Sequence, residues 1–201
     1  SKCLEKDKRV VKSDSPIKNL DKDWVKKTII ANGDDEHSPY FLDFKAEEKF
    51  VYQQGSSTWP DNYNIISYSG IESDSKGVSF RVKDTNLKLG LLGDFNAINA
   101  MNAVTLSLAM GEDIISISNA LAKVGGIAGR IESINEGQDF TVIVDYAFEP
   151  KAVTNLYKTI EHINHNKVIH LLGSTGGGRD KARQPLVGKL AGEKSDIVIV
   201  T

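Results

Sequence analysis

The chain has 201 residues, 40% hydrophobic and 26% charged, with a formal net charge of −2 and a pI near 6.1. This is ordinary for a globular protein of one large or two small domains, and the mild acidity argues against a general nucleic-acid partner. Cys3 is the only cysteine, no apolar run reaches the ~18 residues of a membrane span, and the charged start S-K-C-L-E-K-D-K-R lacks a signal-peptide core, so a cytoplasmic protein with no disulfide and no membrane partner is expected.

Residues 1–27 are rich in lysine and aspartate with little periodicity, and read as loop or frayed helix. Ordered core begins at Thr28-Ile29-Ile30-Ala31, closed by the turn residues Asn32-Gly33-Asp34-Asp35. Phe50–Gln54, Tyr63–Tyr68, Val78–Val82 and Leu87–Leu91 are short runs separated by Gly, Ser, Asn and Asp, the pattern of sheet margins and hairpins. Ile98, Met101, Val104 and Leu108 share a helical face that Gly111 is placed to end. Asp113 can cap a second helix, whose Ile114, Ile117, Leu121 and Val124 repeat on one side. Gly125-Gly126-Ile127-Ala128-Gly129-Arg130 holds three glycines in six residues and reads as a hinge between two domains.

Beyond it the pattern is regular. Phe140–Val144 is an apolar run ending in Asp145, and Pro150 can open a helix with Val153, Leu156, Ile160 and Ile163 on one face. Val168–Leu172 reads as a second buried strand, followed by a glycine-rich loop, a helix carrying Leu186, Val187 and Leu190, and a strand Ile197–Val200. This β-α-β-α-β order predicts an α/β fold with a three-stranded parallel sheet covered by helices. Ligands of open α/β sheets bind beyond the carboxyl ends of strands, which directs attention to Asp145 and to the loop after Gly173. Residues 151–194 carry eight Lys or Arg against three acids, a balance suited to an anionic substrate or to a solvated face.

The loop G-S-T-G-G-G-R-D-K does not satisfy the phosphate-binding pattern G-x-x-x-x-G-K-[ST], because Arg179 and Asp180 follow Gly178. Nor is it a dinucleotide fingerprint. It offers exposed backbone N–H groups and the fork of Arg179, a receptor for carboxylate or phosphate, or else a tight turn with a surface arginine. Asp145 at a strand end needs hydrogen-bond partners, which ribose hydroxyls or a backbone turn would supply equally well. Asn96 and Asn99 at a helix start can address an adenine edge or cap the helix. Arg130 can swing toward phosphate or remain an exposed hinge charge.

Order and spacing add what single residues do not. L-L-G-D-F-N-A-I-N-A, G-G-I-A-G-R-I-E, V-I-V-D-Y-A-F-E-P, L-L-G-S-T-G-G-G-R-D-K-A-R-Q-P and D-I-V-I-V-T, preceded by I-I-A-N-G-D-D-E-H-S, resemble the Mur ligase family. The likeness covers most of residues 28–201 and is most specific over 90–201. Within the family the tripeptide synthetases, with D-Y-A-H-T-P and G-x-G-G-x-R-D-x-x-K-R-P, are the nearest pattern. The resemblance implies the later part of a central ATP-binding domain over 28–126 and an incomplete Rossmann-like domain over 127–201. A longer polypeptide is expected, since the lysine-bearing phosphate loop of the family is not among these residues. The implied reaction is ATP- and Mg2+-dependent. A carboxylate of a UDP-N-acetylmuramoyl-peptide takes the γ-phosphate, and the amine of an amino acid then displaces phosphate to form an amide. Asn96 and Asn99 would face adenine, Asp145 would hold the ribose, Arg130 would approach the phosphates, and Arg179 would receive the amino-acid carboxylate. Lys2 would be a remnant of the carbamoylated lysine that bridges to magnesium.

Three positions depart from the pattern. Phe148 stands for histidine, Glu149 for threonine and Gln184 for arginine. A phenyl ring still stacks but cannot hydrogen-bond. Two other readings share these residues: an amide ligase of the folylpolyglutamate or cyanophycin type, and a nucleotide-binding domain that has lost catalysis.

Overall fold

A computed structural model describes residues 26–173 and 181–201. Strand β1 (Thr28–Asn32) leads through a short helix α1 (Ser38–Leu42) to β2 (Glu48–Gln53) and β3 (Asn64–Asp74). Two close turns then give β4 (Gly77–Val82) and β5 (Thr85–Leu89). These strands form one sheet in the order β1-β2-β3-β4-β5, with β1–β2 and β2–β3 parallel. The β3–β4 turn is closed by the Lys76 N–H donating to Asp74 Oδ1 at 2.7 Å and by Gly77 at φ +148, which L side chains rarely adopt. Ile29, Ala31, Leu42 and Val51 make a buried cluster, with Phe44, Ala46, Trp59 and Tyr63 against it.

Helix α2 (Phe95–Ala109) is followed by α3 (Ile114–Leu121). The buried face of α2 runs through Ala97, Ala100, Met101, Val104 and Thr105, whereas Ile98 is 37% exposed. The stripe therefore keeps Met101 and Val104 of the expected face and turns from Ile98 toward Ala97 and Ala100. Small alanines allow close backbone approach, and the buried Thr105 hydroxyl satisfies itself on Met101 O at 2.7 Å. Gly111, at φ +91, follows the end of α2 as expected. Asp113 caps α3 by accepting the Ile115 and Ser116 N–H groups at 2.9 and 3.0 Å, and its bond from the Ser116 hydroxyl leads the causes that hold its carboxyl below the usual range.

The later elements are β6 (Glu132–Ile134), β7 (Val142–Val144), α4 (Pro150–Glu161), β8 (Ile169–Leu172), α5 (Arg183–Lys194) and β9 (Ile197–Val200). The strand-helix alternation from β7 onward is as expected, and β8 and β9 are parallel with Ile169 opposite Ile197. The three-stranded sheet is not. β7 pairs antiparallel with β6, through Glu132–Val144 to Ile134–Val142, and the described strands β8 and β9 form a separate pair. The local hairpin prevails because its loop turns at Gly137, φ +89, where the Gly137 N–H bonds Asn135 Oδ1 at 3.0 Å. A cleft of about 1010 Å³ lies between β7 and β8, with Leu156 and Ile160 among its lining residues. The buried-strand reading of β8 also needs correction, and β9 behaves likewise. Val153, Tyr157 and Val187 pack with Val168, Leu172 and Leu190 on one face. On the other, Ile169, Leu171, Ile197 and Ile199 are 48–66% exposed, because α4 and α5 cover a single face.

Two compact units divide the chain. One holds the described residues up to 69 with 81–86 and 99–117; the other holds 70–80, 87–98 and 118–201.

Candidate functional site

The site is built on the segment that leaves β7. Asp145 follows the last strand residue, and both of its carboxylate oxygens are engaged by backbone donors. Oδ2 accepts the Ile131 N–H at 2.7 Å, and Oδ1 accepts the Ala147 N–H at 2.6 Å. Ile131 presents its N–H from a left-handed conformation, φ +47, after Gly129 at φ +67. The Tyr146 N–H donates to Gly129 O at 2.9 Å, so the 129–131 turn and the end of β7 are stitched on both sides of Asp145. An ionised carboxylate has about four lone-pair sites. Two backbone bonds fix its orientation and leave acceptor capacity for two adjacent hydroxyls.

Arg130 belongs to the same stitched turn. Its guanidinium lies 5.9 Å from the centroid of the Tyr146 ring, which is 57% exposed. Tyr146 meets Phe148 edge to face at 5.5 Å and 75°, and the Arg183 guanidinium stands 4.7 Å from the Phe148 centroid. Arg183 Nη1 also forms an ion pair with Glu149 Oε1. A cationic and aromatic row thus runs along Asp145–Glu149, at a strand carboxyl end, where α/β folds take ligands.

Arg130 and Asp145 are therefore brought together. Asn96 and Asn99 are on α2 instead. Asn96 Nδ2 donates to Leu92 O at 2.8 Å, which secures the entry into that helix, and Asn99 is exposed. The capping alternative takes a different form: Asn96 is the second residue of α2 and reaches back beyond its start. Lys2 and Arg179 lie outside the described residues. Of the basic balance over 151–194, Arg183, Lys189 and Lys194 are paired, with Glu149, Glu193 and Glu161 respectively.

Three arrangements escaped sequence reasoning. The row through Phe148 and Arg183 joins residues 35 apart in sequence, beyond any local pattern. The Tyr157 hydroxyl bridges His170 Nδ1 at 2.6 Å and Ser195 Oγ at 2.7 Å, and burial holds His170 below its ordinary value of 6.5. In the other unit, Asp34 accepts the Gln54 and Gly55 N–H groups at 2.7 and 3.0 Å. Burial, followed by the Asp34 charge, pushes the Tyr68 hydroxyl up to about 12. The acidic N-G-D-D turn was the one signal that could have marked Asp34.

Residues 129–201 match the family described as Mur ligase, glutamate ligase domain. Over 182 residues the chain is 36% identical to a UDP-N-acetylmuramyl-tripeptide synthetase of Roseiflexus sp. (strain RS-1), covering 88% of this chain and 34% of that protein. The chain belongs to the Mur ligase family. It spans about a third of the length of this curated relative. Among solved structures, the UDP-N-acetylmuramoylalanyl-D-glutamyl-2,6-diaminopimelate–D-alanyl-D-alanyl ligase from Acinetobacter baumannii superposes with a TM-score of 0.67 at 18% identity, over 88% of this chain and 39% of that one. A Mycobacterium tuberculosis folylpolyglutamate synthase complexed with ADP gives a TM-score of 0.53 at 16% identity, over 76% of this chain and 44% of that one. At such identities both show a shared α/β fold alone. The 129–201 match takes in Arg130, Asp145 and the β7-to-β9 alternation of this Mur ligase chain.

Proposed function

We propose that this chain is the nucleotide-facing part of an ATP-dependent ligase that joins an amino acid to a UDP-N-acetylmuramoyl-peptide in peptidoglycan precursor synthesis, in the cytoplasm. Residues 28–126 belong to its central ATP-binding domain and 127–201 to its C-terminal domain. ATP is a substrate. Its γ-phosphoryl group moves to the peptide carboxylate, and the amine of the amino acid attacks the acyl phosphate, releasing phosphate and forming the amide. Asp145 receives the ribose hydroxyls, Arg130 meets the phosphates, Asn96 and Asn99 meet adenine, and Arg179 meets the amino-acid carboxylate. What such a reaction requires of the protein is in-line placement and neutralisation of clustered negative charge.

The observation that carries the reading is Asp145, held by the Ile131 and Ala147 N–H groups at a strand carboxyl end, with Arg130 beside it. The identity of 36% to a tripeptide synthetase favours the muramoyl branch over the folylpolyglutamate branch, for which the support is fold alone. Magnesium accompanies the ATP phosphates. Among the described residues no group of three or more His, Cys, Asp or Glu side chains is arranged to hold a metal ion, and no step is assigned to one. Likewise, no described helix is long and apolar enough to cross a membrane.

Asp145→Ala in the full-length enzyme tests the assignment. It should weaken ATP binding by on the order of 1–3 kcal/mol through loss of hydrogen bonds to a charged acceptor. Its thermal midpoint should also fall, since the Ile131 and Ala147 N–H groups lose their acceptor. A lowered midpoint with an unchanged Michaelis constant for ATP would reduce Asp145 to a structural cap.

A further inference from the structure

Arg183 is the first residue of α5, and its side chain is 14% exposed. A cation at that place opposes the positive end of its own helix. Two neighbours offset the cost. The guanidinium lies over the Phe148 ring at 4.7 Å, and it is ion-paired with Glu149. Glu149 is the N-cap residue of α4, where negative charge is favoured. Its side chain makes no cap hydrogen bond and turns to Arg183 instead. From the opposite end Arg130 faces Tyr146, which touches Phe148. The five residues Asp145–Glu149 are thus gripped by a guanidinium at each end.

We propose that Arg183 is a positioning residue: held by Phe148 and Glu149, it fixes the Asp145–Glu149 segment against α5 and so sets the place of the Asp145 carboxylate that receives nucleotide. The inference rests on the nucleotide reading of Asp145. It also gives Phe148 and Glu149 a common role, although they are two of the positions where this sequence departs from its family pattern. An aromatic face and a carboxylate are the two groups a guanidinium pairs with best. Threonine at 149 would leave Arg183 without its counter-charge.

Four variants of the full-length enzyme, with Asp145→Ala as the control, decide the matter. Arg183→Ala should raise the Michaelis constant for ATP about ten-fold, the scale of one ring contact plus one ion pair, and Glu149→Gln, which keeps the ring contact, about three-fold. The double variant should do no worse than Arg183→Ala alone. The Michaelis constant for the amino acid should stay unchanged. Arg183→Lys, which keeps the charge and loses the planar stack, should recover part of the loss and guards against a folding defect. Hydrogen exchange at the Ala147 amide should rise in Arg183→Ala. If Arg183→Ala weakens ATP while Glu149→Gln tightens it, Arg183 touches the anion itself and the proposal is overturned. Additive losses, or unchanged Ala147 exchange, would overturn it too. If Asp145→Ala leaves ATP binding intact while Arg183→Ala still frees Ala147, the nucleotide reading fails and the clamp alone stands.

Discussion

Gly33, just after β1, has no positive φ, yet a Cβ there would lie 2.6 Å from Val51 Cγ1 and 3.1 Å from Gln53 Oε1. Val51 is fully buried and Gln53 is tied to Trp59 Nε1 at 2.7 Å, so neither gives way easily. Gly33→Ala should therefore lower folding stability by about 1–3 kcal/mol, the usual cost of overpacking, read from the denaturant midpoint. An unchanged midpoint would mean that Val51 repacks freely. In the sequence Gly33 was visible only as turn chemistry; its packing constraint comes from β2, brought alongside by the parallel pairing of β1. Asp145 shows the same division. Its place at a strand end could be read directly, but one of its two donors is Ile131, fourteen residues earlier and in a conformation that nothing about an isoleucine suggests. Phe148, Glu149 and Gln184 stood out as departures from a motif, and only the fold revealed that the first two share Arg183.

Among elements, the strands and helices from β7 onward were legible because period-2 and period-3.6 runs, Pro150 and the turn glycines agree with one another. Pairing was less so, since β-α-β alternation carries no information on whether β7 prefers β8 or its own hairpin partner β6. The α2 face was read in part: Met101 and Val104 are fully buried as expected, whereas large apolar residues drew attention away from Ala97 and Ala100. The bridge across α4, β8 and the end of α5 makes a further prediction. The Tyr157 hydroxyl and His170 Nδ1 share a hydrogen bond, and burial disfavours the charged form of the ring. A histidine whose folded value is depressed contributes stability that is complete above its unfolded value, near 6.5, and is lost as pH falls through the lower folded value. Thermal midpoints measured from about pH 7 down to about pH 5 should fall more steeply in the parent protein than in His170→Gln, which cannot titrate in that range. Parallel curves would show that His170 does not contribute to the acid sensitivity.

At the level of the whole molecule, the order and spacing of five weak motifs identified the family, and the match over 129–201 and the 36% identity bear that out. No one of those motifs would have done so, because Asp145, the asparagines and the glycine loop each had a structural explanation as well. The central claim concerns chemistry: that the complete enzyme joins carboxylate to amine by way of an acyl phosphate. Its most direct test uses a UDP-N-acetylmuramoyl-peptide with an 18O-labelled terminal carboxylate, incubated with full-length enzyme, ATP, Mg2+ and the amino acid. Phosphoryl transfer to the carboxylate followed by amine attack leaves one carboxylate oxygen on phosphate. The account predicts one 18O in the inorganic phosphate for every amide formed; amide formation with unlabelled phosphate, or label found only in the peptide, would contradict it.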